Sequence, residues 1–406
     1  MEKQVMKALS DLKIVEYANF VSGPYCSKLM ADLGAEVTKI EEPGVGDEAR
    51  SREPFLDGIP HRERSGLFLY LNTNKLGVTL NLKTPTGKSI FKQLIREADI
   101  LVENNPPSVM KGLGLNYETL RETNPGLIMT SITPFGQNGP YRDYKACDLI
   151  SVHMGGLGYV TPSRVKDPDL EPPLKLGGRQ ADFMAAAMAA VVTMSAVLGR
   201  HRNGLGCHLD LSVYEAVASN MARDIALYSY DKLIFGRKTG IYYVYGVLAC
   251  KDGYIQFHCP EQHHWRSLLD AMGNPKWGNN ELFKTHESRV NNWSLLEPLL
   301  LEWSMEFTKE EIYRTLQGKR VACCPVNTAE EVSNSDHLAA REFFVAIDHP
   351  EAGRLRYPST PHKFSQTPTR VERPAPLLGE HNDQVYCSRL GYAREELVKM
   401  REAGVI

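Results

Sequence analysis

This 406-residue sequence lacks the cysteine and histidine spacings that are typical of zinc-binding and disulfide-rich proteins. Its eight cysteines are scattered and form no C-x-x-C pair, which argues against a zinc ribbon and against a secreted disulfide framework. His263 and His264 are sequence neighbours and would not both face one ion from a regular helix. We therefore expect reduced thiols and no metal site.

The sequence also has little net charge and no strong targeting signal. A formal charge of −2 gives no general attraction to nucleic acid or to an anionic membrane. Residues 1–10 lack the apolar core of a signal peptide, and the apolar run at residues 184–198 is short and rich in alanine for a membrane span. We expect a cytoplasmic protein with neither nucleic acid nor membrane as a partner.

No G-x-G-x-x-G is present, which disfavours a dinucleotide, but the order of elements predicts a parallel sheet. A strand at residues 12–17, a turn at 21–24, a helix at 25–33 and a strand at 36–40 form a βαβ unit. The same alternation predicts further strands at residues 77–82, 99–104 and 127–132. The loop at residues 134–140 then follows a strand end, where such sheets bind ligands. The fold class is α/β.

The middle of the chain has a different pattern. Residues 242–258 alternate like an antiparallel hairpin with Lys251-Asp252-Gly253 as the turn, and helical segments follow from about residue 265 to 316. These residues predict a second, smaller α+β domain. The polar loop and amphipathic helix at residues 374–406 are expected to dock back on the first domain.

The stretch Gly177–Phe183 and the run after it carry the main functional hypothesis. Residues 184–198 are mostly Ala, Met and Val without a charge or proline, which predicts a helix buried on all sides with Asp182 at its start. Asp182 is then either an N-cap or an ionised carboxylate at the edge of a dry interior. In the second case a substrate reaches it past the glycine-rich residues, and Asp182 acts as a nucleophile or a base. The periodicity does not choose between these two roles.

Seven stretches, in order along nearly the whole chain, resemble one family. They are Gly23-Pro24 with LMADLGAEVTKIEEPGVGD (29–47), LNTNK (71–75), VEN (102–104), FGQNGPYRD (135–143), GLGCHLDLSVYEA (204–216), KDGY (251–254) and RPAPLLGEHN (373–382). The ordered set resembles the class III (CaiB/BaiF-type) CoA-transferases, the group of formyl-CoA:oxalate and carnitine CoA-transferases.

The resemblance implies a Rossmann-like large domain built from both chain ends, an inserted small domain and two interlocked subunits. The expected domains are residues 1–225, 226–325 and 326–406, the last returning to the large domain. The implied activity moves CoA from an acyl-CoA donor, such as succinyl-CoA, to a carboxylic acid acceptor. Asp182 is the implied catalytic residue, acting through a mixed anhydride and an aspartyl-CoA thioester.

The resemblance also implies which residues contact CoA, a substrate rather than a tightly bound cofactor. Asparagines and backbone amides suit the pantetheine amides, while lysines and Arg50 suit the phosphates. The glycine run that some members fold over the aspartate is reduced here to residues 236–240. The implied CoA-binding residues are Phe20, Val21, Ser22, Asn72, Lys75, Asn104, Asn105, Lys111 and Lys145.

Two alternatives stay open. α-Methylacyl-CoA racemases of the same superfamily use a histidine where this chain has Cys147, which is a poor base at neutral pH, although His153 lies nearby. The chain is alternatively an idle CoA-binding partner in a heterodimer with a related subunit, instead of a homodimer.

The acceptor acid is open too. An aromatic and imidazole-rich set in the small domain either lines a pocket for a bulky or aromatic acid, with a resemblance to succinyl-CoA:benzylsuccinate CoA-transferase, or consists of ordinary core and surface residues. The set is Tyr242, Tyr243, Tyr245, His258, His263, His264 and Trp265.

Overall fold

The computed structural model describes residues 7–162, 165, 167–237 and 244–406, which form two units. The first unit contains residues 7–162, 169–234 and 340–406. The second contains residues 165, 167–168, 235–237 and 244–339.

The first 234 residues alternate strands and helices. Two short 3₁₀ helices, Glu48–Ser51 and Leu56–Gly58, lie in the connection after the second strand. The elements in chain order are β1 (Lys13–Tyr17), α1 (Ser22–Asp32), β2 (Glu36–Glu41), α2 (Gly66–Leu71), β3 (Lys75–Thr79), α3 (Pro85–Glu97), β4 (Ile100–Glu103), α4 (Pro107–Leu113), α5 (Tyr117–Thr123), β5 (Ile128–Thr133), α6 (Asp148–Met154), α7 (Gln180–Asn203), β6 (His208–Ser212), α8 (Val213–Ser219) and α9 (Ala222–Asp231).

The six strands form one parallel sheet in the order β3-β2-β1-β4-β5-β6. This confirms the predicted α/β class and its parallel sheet. The chain runs outward from β1 through β2 to β3, then returns to the other side of β1 for β4, β5 and β6. The connections after β1 and β4 therefore diverge and leave a crevice at the carboxyl ends of these two strands, where doubly wound sheets bind ligands.

Helices cover both faces of the sheet, as a parallel sheet requires. On one face α3 packs against Leu101 and Met129, and on the other α1, α7 and α8 pack against Ile100 and Ile128. Strands β4 and β5 are consequently buried along their whole length.

The long helix α7 differs from the prediction that it is buried on all sides. Its alanine face is buried, but Met188, Val191, Val192 and Leu198 form an exposed apolar stripe, with Val191 67% and Leu198 65% exposed. This helix is long and apolar enough to span a membrane by length and composition. Its buried face packs against α1 and β5, as a core helix does.

The second unit is a three-stranded antiparallel sheet with helices. The predicted hairpin is present, with Lys251 and Asp252 between the paired residues Cys250 and Gly253. The elements are β7 (Val244–Cys250), β8 (Gly253–Cys259), α10 (Gln262–Ala271), α11 (His286–Asn291), α12 (Trp293–Ser304), α13 (Lys309–Gly318), β9 (Ala322–Pro325), α14 (Ala329–Ser333) and α15 (Asp336–Ala340), in the sheet order β7-β8-β9.

Apart from the short stretch before residue 169, the chain passes between the units at residues 234/235 and 339/340, whereas the expected boundaries were 225/226 and 325/326. At the second boundary the difference has a physical cause. Lys309 of α13 forms an ion pair with Glu331 of α14, so the chain stays attached to the second unit beyond β9.

The last segment covers the edge of the parallel sheet. It contains the hairpin β10 (Phe344–His349) and β11 (Gly353–Pro358), a π-type helix at Asp383–Arg389 and α16 (Arg394–Glu402). At the edge strand β3, the Thr79 N–H donates to Asn382 Oδ1 at 2.9 Å and the Tyr386 hydroxyl donates to the Thr79 carbonyl at 2.8 Å. These bonds occupy backbone groups that an open sheet edge would expose.

A buried ion network lies under the connection between β1 and α1. Lys39 Nζ is 2.7 Å from Glu16 Oε1 and 2.6 Å from Asp47 Oδ2, and Lys75 Nζ is 2.7 Å from Glu16 Oε2. Burial alone would raise the pKa of Glu16, but the two lysines lower it to about 2. Burial would lower the pKa of Lys39, yet Asp47 and Glu16 raise it overall. Glu16 and Lys39 are therefore ionised at neutral pH, and Lys75, whose pKa burial lowers to about 8, stays mostly protonated there.

The network fixes the backbone of that connection. Lys39 Nζ donates to the Ala18 carbonyl at 3.2 Å, Lys75 Nζ donates to the Pro24 carbonyl at 2.7 Å, and Asp47 Oδ1 accepts the Phe20 N–H at 2.9 Å. These hydrogen bonds with buried side chains fix the backbone of a connection that would otherwise be an ordinary surface loop.

We expect Lys39→Met to destabilise the protein by about 3–5 kcal/mol, because it leaves the buried carboxylate of Asp47 without its cation. Chemical denaturation measures the change, with Lys13→Met, which removes an exposed lysine, as the control. A loss below about 1 kcal/mol would show that the network contributes little.

Candidate functional site

A cavity of about 380 Å³ lies at the carboxyl ends of β1, β4 and β5 in the first unit. The connections after β1, β4 and β5 each contribute to its wall, and the start of α7 contributes the catalytic candidate. Its lining residues are Asn19, Phe20, Val21, Ser22, Glu48, Arg52, Asn104, Ile132, Pro134, Ala146, Cys147, Asp148, Ser151, Arg179, Asp182 and Val213.

Asp182 lies in the first turn of α7 with its side chain 17% exposed. Burial and, secondarily, the neighbouring Asp148 raise the pKa of its carboxyl, Arg179 and Lys175 lower it, and the net result is a pKa of about 6. The carboxylate is therefore ionised at neutral pH but poorly solvated, as is typical of a nucleophile or base.

Asp182 is not the N-cap of α7, so the structural alternative considered from sequence is wrong. Arg179 occupies the N-cap position, and the capping acceptor comes from α6. Asp148 Oδ1 accepts the Ala181 N–H at 2.8 Å and the Asp182 N–H at 3.4 Å. Lys175 Nζ lies 2.9 Å from the other oxygen of Asp148. Because Asp148 accepts hydrogen bonds from the first N–H groups of α7, the side chain of Asp182 is not needed as a cap and is free to line the cavity.

Four of the predicted CoA-binding residues line the cavity. Phe20, Val21 and Ser22 form the connection after β1, and Asn104 follows β4. Asn104 Oδ1 accepts the Asn19 N–H at 2.8 Å, and Asn104 Nδ2 donates to Ser22 Oγ at 3.0 Å. The asparagine thus ties the two connections together across the crevice between β1 and β4.

The start of α1 provides backbone donors beside these residues. No described residue accepts a hydrogen bond from the N–H groups of Val21, Ser22 or Gly23. Pro24, which follows, has no N–H. The first-turn N–H groups of a helix attract anions, so this end of α1 suits a developing negative charge or a ligand carbonyl.

The other predicted CoA-binding residues lie elsewhere. Asn72 and Lys75 are fully buried, and Lys75 Nζ donates to Asn72 Oδ1 at 2.9 Å. Asn105 Nδ2 donates to the Tyr17 carbonyl at 3.0 Å. Lys111, in α4, and Lys145, one residue before the lining stretch 146–148, are exposed.

Arg50 does not have the role expected from sequence. Its guanidinium is buried, donates to both carboxylate oxygens of Glu41 at 2.7 and 2.8 Å, and stacks on Phe68 at 3.6 Å from the ring centroid. The positive charge of Arg50 is therefore paired with Glu41 inside the protein and is not available for a phosphate.

Sequence reasoning missed four charged lining residues, Glu48, Arg52, Asp148 and Arg179. Arg179 was visible in principle, since a residue three positions before Asp182 shares its helix face, and its Nη1 lies 3.8 Å from Asp182 Oδ2. Glu48, Arg52 and Asp148 carried no comparable signal, because only the tertiary fold brings them to this cavity.

The residues invoked for the alternatives are placed as follows. Cys147 lines the cavity, whereas His153 is exposed and does not. Among the described residues, no histidine lines this cavity. Across residues 7–162, 165, 167–237 and 244–406, no group of three or more His, Cys, Asp or Glu side chains is arranged to hold a metal ion.

The predicted acceptor pocket is only partly within the described residues. Tyr242, Tyr243 and residues 238–240 of the shortened glycine run lie outside them, as does the side chain of Tyr245. Trp265 is 1% exposed in the core of the second unit, so it cannot line an open pocket, which corrects that expectation.

Comparison with known proteins matches residues 9–382 to CoA-transferase family III. A succinyl-CoA–D-citramalate CoA-transferase of Chloroflexus aurantiacus is 30% identical over 98% of each chain. The alpha subunit of a succinyl-CoA–L-malate CoA-transferase of the same species is 29% identical over 98% of this chain and 92% of its own. A CAIB/BAIF family protein from Brucella suis superposes with a TM-score of 0.84 at 28% identity, over 94% of this chain and 99% of that one.

We expect any reaction that uses the Asp182 anion to slow below pH 6, because the carboxylate becomes protonated there. Asp148→Asn removes a neighbouring negative charge, so the pKa of Asp182 should fall and the acid limb of the kcat/KM profile should move to lower pH. Asp143→Asn, which changes an exposed carboxylate, is the control. An acid limb that does not move in Asp148→Asn would contradict this electrostatic coupling.

Proposed function

The chain belongs to CoA-transferase family III, and we propose that it transfers CoA between acids with Asp182 as the covalent catalyst. The family match over residues 9–382 confirms the resemblance found in the sequence and makes the protein a CoA-transferase whose substrates are CoA thioesters. The observation that supports the role of Asp182 is the position of its desolvated carboxylate in the cavity. Asp148 already caps the start of α7, so Asp182 is not needed as a cap.

The first half-reaction charges the enzyme. The Asp182 carboxylate attacks the thioester carbonyl of the donor, the carbon–sulfur bond breaks, and CoA leaves as a thiolate from a mixed anhydride between Asp182 and the donor acid. The thiolate then attacks the aspartyl carbonyl and expels the donor acid as its carboxylate. The product is an Asp182–CoA thioester.

The second half-reaction reverses these steps with another acid. The acceptor carboxylate attacks the aspartyl thioester, which releases CoA thiolate and forms a new mixed anhydride. The thiolate attacks the acceptor carbonyl, and the electron pair of the breaking bond restores the Asp182 carboxylate. No oxidant, reductant or net proton is needed, so a carboxylate nucleophile is sufficient.

Each attack places negative charge on a carbonyl oxygen. The N–H groups of Val21 and Ser22 at the start of α1 are the donors we assign to this charge. Partial burial of Asp182 also limits the access of water, which would hydrolyse the anhydride or the thioester.

The cavity accommodates only part of CoA. About 380 Å³ is near the lower end of the range for small-molecule sites, so the cavity suits the acyl group and the thiol end. We assign the pantetheine amides to Ser22 and Asn104. The exposed lysines Lys111 and Lys145 are then the candidates for the phosphates.

Among the acids, succinyl-CoA is the donor we propose, because the two named relatives use it. Their acceptors, D-citramalate and L-malate, are both short dicarboxylic acids. We extend that class to the acceptor of this enzyme. Benzylsuccinate belongs to the same class and stays a prediction.

Proton transfer of the racemase kind has no observation in its favour here. A 1,1-proton transfer needs a second base facing Asp182. The described cavity offers Cys147 in that region and no histidine.

We propose that a second subunit packs against the exposed apolar stripe of α7. Exposed apolar side chains at helical spacing are typical of a protein interface. We propose a second copy of this chain, consistent with an interlocked dimer. The relative named as an alpha subunit makes an unlike partner the alternative.

We expect Asp182→Asn to abolish transfer while Asp231→Asn, an exposed carboxylate at the end of α9, retains it. Incubating wild-type protein with succinyl-CoA and then hydroxylamine or borohydride should modify the peptide that contains Asp182, as detected by mass spectrometry. Undiminished transfer by a clean Asp182→Asn preparation would refute the covalent mechanism.

We expect the chain expressed alone to have twice the mass of one subunit in solution and to be active. Val191→Glu should shift it to monomers, because a carboxylate then has to be buried in the interface. Val398→Glu, which changes a half-exposed valine on α16, is the matched control. Analytical ultracentrifugation separates the states. Unchanged assembly in Val191→Glu would exclude this stripe, and activity that requires an added unlike subunit would favour the heteromer.

A further inference from the structure

The guanidinium of Arg179 lies in the cavity wall with most of its donors unused. Its side chain is 36% exposed, and its one acidic neighbour among the described residues is Asp182, at 3.8 Å. That distance is too long for a hydrogen bond, and no described residue accepts one from this guanidinium. An arginine presents five N–H donors in a planar fork that matches a carboxylate.

A rigid ring holds this fork in place. The guanidinium carbon of Arg179 lies 4.1 Å from the ring centroid of Phe20. Phe20 has a left-handed backbone conformation, with φ of 70°, and its N–H is bonded to Asp47 in the buried network. The platform under Arg179 is therefore part of the connection that the network fixes, which makes the fork preorganised and not merely a mobile surface arginine.

Arg52 lies near the same ring but is a different kind of residue. Its guanidinium carbon is 5.5 Å from the Phe20 centroid, and it forms an ion pair with Glu48 one helical turn away. Its charge is thus already balanced by a carboxylate that takes no part in the reaction. Arg179 alone depends on the nucleophile for its counter-charge.

The proposed reaction removes that counter-charge. When Asp182 becomes an anhydride or a thioester, its carboxylate is no longer an anion, so Arg179 is left in a partly desolvated cavity without its acidic neighbour. A positive charge in that position favours a new anion. An acid with one carboxylate uses it for the attack on the aspartyl carbonyl and has none left for Arg179.

Building on the proposed function, we infer that Arg179 binds the second carboxylate of a dicarboxylic acid while the first reacts at Asp182. Arg179 is then the residue that selects diacids over monocarboxylic acids. The second carboxylate replaces the charge that Asp182 loses on acylation, so the preference is expressed when the acceptor meets the acylated enzyme.

The test compares isotope-labelled succinate with butanoate, its monocarboxylate analogue, as acceptors at saturating unlabelled succinyl-CoA, so that label appearing in the CoA ester reports transfer to succinate. In a two-step exchange of this kind, the kcat/KM of the acceptor depends only on the second half-reaction, so any effect on the donor cancels. We expect wild-type protein to prefer succinate. In Arg179→Gln the succinate-to-butanoate ratio should fall about 10- to 100-fold, the range for losing a charged hydrogen-bonded pair.

Two further variants control the result. Arg179→Lys retains the charge without the fork and should give an intermediate ratio. Arg202→Gln removes an exposed arginine from the other end of the same helix, about 35 Å away, and should leave the ratio unchanged. Unfolding temperatures close to that of wild type would show that each variant is folded.

Three results would overturn the inference. The first is a ratio in Arg179→Gln within about twofold of wild type. The second is an equal loss with both acceptors together with a shifted acid limb, which would mean that Arg179 acts only on the ionisation of Asp182. The third is a wild-type enzyme that uses butanoate as well as succinate. Failure of wild-type protein to transfer CoA to any acid would instead refute the proposed function.

Discussion

The cavity depends on a buried ion network that holds the connection between β1 and α1. Glu16, Lys39, Asp47 and Lys75 lie under that connection, and Lys39, Asp47 and Lys75 bond directly to its backbone. Ionised groups are expensive to bury, so an arrangement of this kind persists where each charge has a partner. Here the partners also support the left-handed Phe20 and the first turn of α1. Binding surface and stability thus rest on the same charges.

A second constraint acts at the start of α7. A helix terminus needs an acceptor, and an aspartate in its first turn is the ordinary candidate. In this protein the acceptor is Asp148, supplied by α6 and held by Lys175. This division of labour frees Asp182 for chemistry and also raises the pKa of Asp182, because a second negative charge is brought close. Capping and activation are therefore two effects of one residue.

Charge balance links these two regions in the proposed cycle. Arg179 lies between Phe20, which the network fixes, and Asp182, which the reaction acylates. A preorganised guanidinium whose counter-ion disappears in the intermediate provides a simple way to prefer a substrate with a second carboxylate.

The sequence by itself determined the class of fold, the positions of most strands, the family and the prominence of Asp182. These depend on local patterns: βα alternation, the hairpin around residues 251–253, ordered motifs and an alanine-rich helix. The tertiary structure decided what each charged residue does. Arg50, Asn72 and Lys75 looked available for CoA but are buried among protein partners, whereas Asp148 and Arg179 carried no assigned role and lie in the cavity. The reason is physical: a charged side chain has the same local signature whether it is solvated, paired or catalytic, and only the distances set by the fold distinguish these states.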